Sequence, residues 1–418
     1  MRRFILIISF IHLCSFAAAA QAGERTGQNL LLRTDQAAPA GRGGTGITGS
    51  TADCFSLNPA SASILERPTM SLGYGGFGGY SDPSLAFLYP SSYGVFGGSF
   101  RRMSIDENTG LTEGYRGMFG AGKQITDSLS IGAAFDILYG KGDGSAYYTG
   151  GGIGAVYRTA WEKSFGRGFG VYRPAFGAAG FAGIPFGSHS TYADMSRSSL
   201  GYSLGFYRNS LFELSFMNEL SAVHGYADFP VSWGLESVID RSWTVRLGGA
   251  YPAYSYGDFT FGLGYKFDAR HFSASLDYAL VHGQRSGFVH YIGLTVGFGE
   301  LDREAPVAIV QSNLQYISPN HDGVQDYALI SLDVSDRSRI KGWRLQVLDT
   351  NGTVVKEYKA PTRDMEEDLS IKEFFARLVS RRESTVVPDA VLWDGTDANG
   401  AVVPDGRYRY SFMTWDER

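Results

Sequence analysis

Asp258-Phe259-Thr260-Phe261-Gly262-Leu263-Gly264-Tyr265-Lys266-Phe267 decides how this chain folds. Phe259, Phe261, Leu263, Tyr265 and Phe267 fall on one parity, and Asp258, Thr260, Gly262, Gly264 and Lys266 on the other. Successive side chains of a strand point to opposite faces, so the stretch predicts a strand with one aromatic face and one face of small or polar groups. The pattern recurs with Phe272, Ala274, Leu276, Tyr278 and Leu280 against Ser273, Ser275, Asp277 and Ala279. It recurs again with Leu129, Ile131, Ala133, Phe135, Ile137 and Tyr139 against Ser130, Gly132, Ala134 and Asp136. A soluble sheet would bury the aromatic face in a core, whereas a transmembrane barrel turns it to lipid and the other face to its lumen.

Composition favours the barrel. The 418 residues include 55 Gly, 25 Tyr and 28 Phe, with 19% charged residues and 14 Pro. A soluble domain averages about 25% charged residues and about 7% Gly. Beyond the N-terminus no apolar run approaches the ~20 residues of a membrane helix, so a chain of this kind spans a membrane only as a closed barrel. The net charge of −5 excludes nucleic acid as an expected partner.

Arg2 and Arg3, the apolar run Phe4–Leu13 and the small residues Ala17–Ala20 and Ala22 have the layout of a secretory signal peptide over residues 1–22. A lipoprotein reading would modify Cys14, but His12 and Leu13 suit lipidation poorly. Cleavage near Ala20 or Ala22 removes Cys14 and leaves Cys54 alone, so no intrachain disulfide is expected.

Residues 23–67 lack alternation and are read as an N-terminal hatch, or plug, segment. They contain Gly43, Gly44 and Gly46 and the triplet Asn58, Pro59 and Ala60. The glycine run lacks the strand, helix and lysine of a phosphate loop, so a backbone threading a crowded space is the expected role. Residues 68–299 are read as the barrel, with about fourteen strands given the length a spanning strand needs. Short turns such as Thr126–Ser128 contrast with longer links such as Asp106–Glu113 and Trp161–Gly168, which suggests tight turns on one rim and long loops on the other.

Residues 300–306 form a charged linker, and 307–418 read as a separate β-sandwich with strands near Tyr327–Val334, Trp343–Leu348, Val354–Tyr358 and Tyr408–Met413. Between Asp368 and Arg382, Leu369, Ile371, Phe374, Phe375, Leu378 and Val379 take helical spacing, an amphipathic insertion into the sandwich.

Two resemblances follow from these residues. Gly43, Gly44 and Gly46 followed by Leu57, Asn58, Pro59 and Ala60, then Val231–Glu236, Val245–Tyr251 and Ser275–Ala279, resemble the long-chain fatty-acid transporter (FadL) family and its PorV-like relatives over about residues 35–299. In the tail, Ser318–Asp326, Trp343–Asp349, Trp393–Gly395 and Gly406–Tyr410 resemble an Ig-like module of the hook-assembly-protein (FlgD) type. The insertion at about 363–388 departs from that pattern, and the chain ends soon after a late strand, which leaves room for a longer natural protein.

The first resemblance implies an outer-membrane barrel surrounded by lipid, with a luminal hatch and passive uptake of hydrophobic small molecules such as long-chain fatty acids. Phe55 and Leu57 are then candidate ligand-lining residues. Asn58, Pro59 and Ala60 either gate the passage or make a rigid corner that seats the plug. Asp136, Lys266 and Asp277 are candidate lumen charges, for selectivity or for hydrogen bonding within the fold. A PorV-like role in secretion or assembly, with the periplasmic Ig-like domain docking a protein partner, stays open, as does a structural or adhesive role.

No enzyme motif, cofactor or metal site is expected. The histidines lack metal-ligand spacing, and no serine sits in a nucleophile elbow. Asn320, Asp322 and Asp326 follow a calcium-loop rhythm without its terminal Glu and read first as turn residues, as do Asp394, Asp397 and Asn399.

Overall fold

The computed structural model describes residues 36–77, 80–104, 111–142, 145–187, 196–223, 229–251, 259–269, 271–283, 287–299, 305–320, 322–336, 340–360, 370–380 and 385–416. The signal segment and the first part of the hatch region, 23–35, lie outside the described residues. So do His189, His224 and the linker residues 300–304.

Strands β1 (Thr69–Phe77), β2 (Tyr80–Ser91), β3 (Gly94–Ser104), β4 (Leu111–Gln124), β5 (Leu129–Gly142) and β6 (Ser145–Arg158) pair in sequence order. After the short β7 (Glu162–Gly166), β8 (Phe169–Gly187), β9 (Arg197–Arg208), β10 (Phe212–Val223) and β11 (Val231–Ile239) continue the meander. Strands β12 (Trp243–Tyr251), β13 (Phe259–Asp268), β14 (Phe272–Gly283) and β15 (Gly287–Phe298) complete it. The ring closes where β1 pairs antiparallel with β15, from Thr69↔Gly297 to Gly76↔His290. Because β6 also pairs directly with β8, β7 is a spur, and fourteen of the fifteen strands form the closed antiparallel barrel. Closure leaves the fourteen-strand ring without an unpaired edge, which is what a spanning sheet requires.

The alternation is realised as two surfaces. Phe259, Leu263, Tyr265, Phe267 and Leu276 are exposed on the outside, while Thr260, Asp277 and Ala279 are buried inside. Aromatic side chains concentrate in two outward bands. Phe100, Tyr115, Tyr139 and Tyr147 run side by side across β3 to β6, with ring centroids 6.3, 6.2 and 4.9 Å apart. Near the opposite rim, Trp243 meets Tyr265 at 4.7 Å and Phe267 meets Phe272 at 5.7 Å. An exposed apolar belt between aromatic girdles is the exterior that lipid hydrocarbon solvates.

One rim holds the start of β1, the end of β15 and tight turns such as the one between β4 and β5. The link Trp161–Gly168, read from sequence with the long loops, belongs to this rim and folds as the β7 spur, with Glu162↔Tyr172 and Lys163↔Val171 paired. Composition marked it as polar, but polarity does not report which rim a link occupies.

The chain packs as two compact units, Met1–Leu301 with Phe374–Ser380, and Asp302–Glu373 with Arg381–Arg418. The second contains two three-stranded sheets, β16 (Val307–Ser312), β17 (Ala328–Ser335) and β20 (Ala390–Trp393) against β19 (Val354–Lys359), β18 (Gly342–Leu348) and β21 (Arg409–Trp415). Ile330 and Leu332 from one sheet and Leu345 and Val347 from the other share a core with Trp343 and Trp393. The helical insertion is confirmed as a helix over Ile371–Val379, but its residues from Phe374 onward pack with the barrel unit and not with the sandwich.

A hatch seated in the barrel lumen as the candidate functional site

The segment from Gln36 to Arg67 is built of a short helix, α1 (Ala37–Gly41), and two 3-10 turns, Ala52–Cys54 and Pro59–Ile64. Most of its residues are buried although it contributes no strand. Its partners are the inward-facing residues of the wall.

Glycines of the wall provide the seats. Side chains built on Gly234 and Gly248 would collide with the backbone of Arg42 and Gly43, and one on Gly262 would lie 3.0 Å from the Cα of Gly41. Farther round the ring, Gly122 and Gly132 lie beneath Pro59 and Ala60, and Gly154 beneath the Asn58 side chain. A methyl on Gly122 would stand 2.6 Å from the Pro59 carbonyl, and one on Gly177 2.7 Å from the Ile47 carbonyl. The high glycine content of the chain thus has a local cause, since these positions admit another backbone where any side chain would exclude it. Gly43 itself has φ +73°, a conformation that favours glycine, and touches the Trp233 carbonyl and the backbone of Gly249.

Polar bonds fix the register. Thr260 Oγ1 accepts from the Gly43 amide at 2.9 Å and donates to the Gly41 carbonyl at 3.0 Å. Glu219 Oε2 accepts from the amides of Gly46 at 3.2 Å and Ile47 at 3.5 Å. Arg158 and Arg197 donate to the carbonyls of Gly49 and Leu57 at 2.6 and 3.1 Å. Asn58 Nδ2 donates to the Ile47 carbonyl at 2.7 Å and reaches the wall carbonyls of Ala155 and Ala178 at 3.3 and 3.5 Å. Its Oδ1 accepts from the Ala60 amide at 3.0 Å, capping the turn that Pro59 begins. Asn58 therefore makes both the rigid corner and a contact with the wall.

A buried ion network ties the hatch to three strands. Arg42 Nη1 donates to Glu236 at 3.0 Å, and Arg246 donates to the same carboxylate at 2.7 Å and to Asp277 at 2.6 Å. Arg246 and Asp277 meet over Gly264, where a Cβ would stand 2.9 Å from Arg246 Nη1. Arg42 also donates to the Thr45 carbonyl at 3.1 Å and to Cys54 Sγ at 3.2 Å. Burial pushes the Cys54 thiol up to about 12, with Asp53 adding to the shift and Arg42 opposing it. Of the three expected lumen charges, Asp277 joins this network and Asp136 makes a bidentate pair with Arg116 on the inner wall. Lys266 has inward parity but is exposed at the rim, beside Asp268 at 3.0 Å.

Phe55 and Leu57 are fully buried. Phe55 packs in one cluster with Ile47, Ala52 and Ala62 of the hatch and Leu88, Val95, Met118 and Phe181 of the wall. Arg116 and Arg197 flank this cluster, each 5.6 Å from the Phe181 ring centroid. Gly46 makes room for Leu57, whose Cδ1 lies 2.5 Å from where a Cβ would stand. Gly44, also at positive φ, donates its amide to the Pro39 carbonyl at 2.9 Å.

Arg42, Glu219, Glu236 and Arg246 were not singled out by the sequence reading. For Glu219, Glu236 and Arg246 the available signal was a charge on the inner parity of an alternating strand; Arg42, in the hatch, had none.

In the tail, Asp322 accepts from Asn320 and from the Val324 amide, and Asp326 accepts from the Gly323 amide. These are turn bonds, and they hold the Asp322 carboxyl below its usual range. Among the described residues no group of three or more His, Cys, Asp or Glu side chains is arranged to hold a metal.

No protein-family description matches the chain, and no curated protein matches it. Among solved structures, the toluene transporter TbuX of Ralstonia pickettii is similar at 15% identity and a TM-score of 0.42, over 64% of this chain and 98% of that one. A FadL homologue of Pseudomonas aeruginosa is similar at 13% identity and a TM-score of 0.38, over 64% and 98%. The CymD monoaromatic hydrocarbon channel is similar at 12% identity and 0.40, over 64% and 99%. The barrel assignment rests on the closed strand ring itself.

Proposed function

We propose that this chain is an outer-membrane channel for passive uptake of hydrophobic small molecules, with the seated hatch as its gate. The observation that carries the reading is the apolar cluster inside the lumen, flanked by Arg116 and Arg197, where Phe55 of the hatch packs against Leu88, Val95, Met118 and Phe181 of the wall. Apolar surface flanked by a few oriented polar groups is the composition of a small-molecule site. In the seated state the hatch itself covers that surface. A hydrophobic ligand gains access when the hatch shifts, replacing Phe55 and Leu57 as the apolar partner of the wall.

Long-chain fatty acids are the substrate class proposed. Each CH₂ moved from water into such a site contributes roughly 0.8 kcal/mol, so affinity should rise with chain length across saturated acids. Fluorescence titration of the detergent-exchanged protein with an acid series tests this. Affinity independent of length would overturn the uptake reading and favour a barrel that serves as an assembly partner.

A further inference from the structure

Lys123 stands on the outward parity of β4, in step with the exposed Phe119, yet is only 8% exposed. Its cover is the C-terminal end of helix α2 (Ile371–Val379). Lys123 Nζ donates to the Leu378 carbonyl at 2.9 Å and to the Ser380 carbonyl, taking up acceptors that the end of a helix leaves unpaired. Arg377 adds a longer bond to the Ile125 carbonyl in the turn between β4 and β5. The other end of α2 carries its own cap. Ser370 Oγ accepts from the Glu373 amide at 3.2 Å, and Glu373 accepts from the Ser370 amide at 3.0 Å. The helix is thus defined at both ends, and Phe374–Ser380 belongs to the barrel unit.

What α2 lacks is a buried face. Ile371, Phe374, Phe375, Leu378 and Val379 form one apolar stripe, Glu373 and Arg377 lie on the far side, and Lys372 borders the stripe beside Val379. None of its residues is buried, and Ile371, Phe375 and Val379 are 78%, 59% and 75% exposed. The C-terminal end of α2 is held at the tight-turn rim by Lys123, which shares the outward parity of the barrel's exposed apolar belt.

We infer that α2 lies in the membrane interface, with Phe375 and Val379 in the lipid of the leaflet that borders the tight-turn rim and Lys123 as its pin. The inference rests on the membrane reading of the barrel. A short helix with one charged and one apolar face is built to lie in the plane of a bilayer surface, and its attachment at Lys123 on the lipid-facing parity of the wall selects lipid over a protein partner.

The test uses the full chain in phosphatidylcholine vesicles, with a polarity-sensitive fluorophore placed in turn at Phe375→Cys, Ala376→Cys on the far side of the helix, and Leu276→Cys. Cys54 is fully buried and protected from the label. Lipids brominated along the acyl chain should quench the probe at Phe375→Cys strongly and shift its emission to the blue, with several-fold weaker quenching at Ala376→Cys. Adding Lys123→Gln should reduce quenching at Phe375→Cys and leave Leu276→Cys unchanged. Quenching at Leu276→Cys without quenching at Phe375→Cys overturns this inference alone, including the case of a blue-shifted but unquenched probe covered by another protein. Absence of quenching at Leu276→Cys overturns the membrane reading itself.

Discussion

Replacing Asn58 by Ala should loosen the hatch and leave the barrel closed. The substitution removes the 2.7 Å bond to the Ile47 carbonyl and the 3.0 Å bond from the Ala60 amide, together with two longer reaches to the wall. The longer reaches add little at their distances. Both good bonds hold the folded corner within the hatch, so for a hatch that unfolds on release each contributes roughly 1 kcal/mol net to the seated state, which should lose about 2 kcal/mol, more if the buried Ile47 carbonyl finds no new donor. At about 1.4 kcal/mol per decade, this lowers the ratio of seated to released hatch roughly 30-fold. Cys54 reports the change, because its thiol is fully buried when the hatch is seated. If reseating is fast relative to modification, the labelling rate should follow the released fraction and rise by the same factor. The contact with Gly154 supplies an internal control. In the parent, Gly154→Ala should collide with the Asn58 side chain and release the hatch, whereas in the Asn58→Ala background the same methyl should be accommodated. Double-mutant non-additivity is therefore expected. A labelling rate within about twofold of the parent for Asn58→Ala, with heat-modifiable migration intact, would refute the assignment of Asn58 as the hatch's fastening, since that factor is under ~0.5 kcal/mol.

Leu263 is 43% exposed in the middle of its strand, opposite Val245 and Tyr278, so Leu263→Arg should cost roughly 2–4 kcal/mol in urea unfolding from lipid vesicles, against about 0–1 for Phe298→Arg at the rim. Equal costs at the two depths would contradict the lipid-facing belt. The raised Cys54 thiol links seating to alkaline pH. Between its ordinary value of 9.0 and about 12, the seated hatch keeps a proton that the released hatch gives up, so seating should be unaffected below about pH 9 and weaken progressively above it. Cys54→Ser should flatten that part of the pH profile in a conductance assay. Deleting residues 36–66 should raise conductance in planar bilayers with the barrel still folded, and unchanged conductance would mean that the segment does not obstruct the passage.

How much of this was legible in the sequence depended on whether the signal was local. The alternation at 258–267 and 272–280 gave the strands and their two faces, because side-chain parity is a property of the strand alone. The parity of Asp136 and Asp277 placed them on the inner wall for the same reason. The ion network was not legible, since Glu236, Arg246 and Asp277 lie on β11, β12 and β14 and meet only when the intervening Gly264 lets Arg246 and Asp277 close over it. Gly234, Gly248 and Gly262 likewise read as three isolated glycines until the register aligns them beneath Arg42 and Gly41. Helix α2 was visible from its spacing, but no local pattern states which unit a helix packs with. Lys123, its partner, looked like an ordinary charge at the end of a strand.

The seam between β1 and β15 sets an order on assembly. Synthesis delivers the hatch before any strand, yet Glu219, Glu236, Arg246 and Thr260, which anchor it, belong to the second half of the ring. Its apolar partners Leu88, Val95 and Met118 and its seats Gly122, Gly132 and Gly154 belong to the first half, so the hatch can be gathered early but stays without these polar anchors until the second half has formed. Once Thr69 pairs with Gly297 and the neighbouring rungs zip up, entry from the side is shut. The hatch must therefore be gathered into a still-open sheet, and its fastening and the ring's closure become one late event. Contacts this distant in sequence are slow to form, so the waiting time for that event should dominate the time this chain takes to mature.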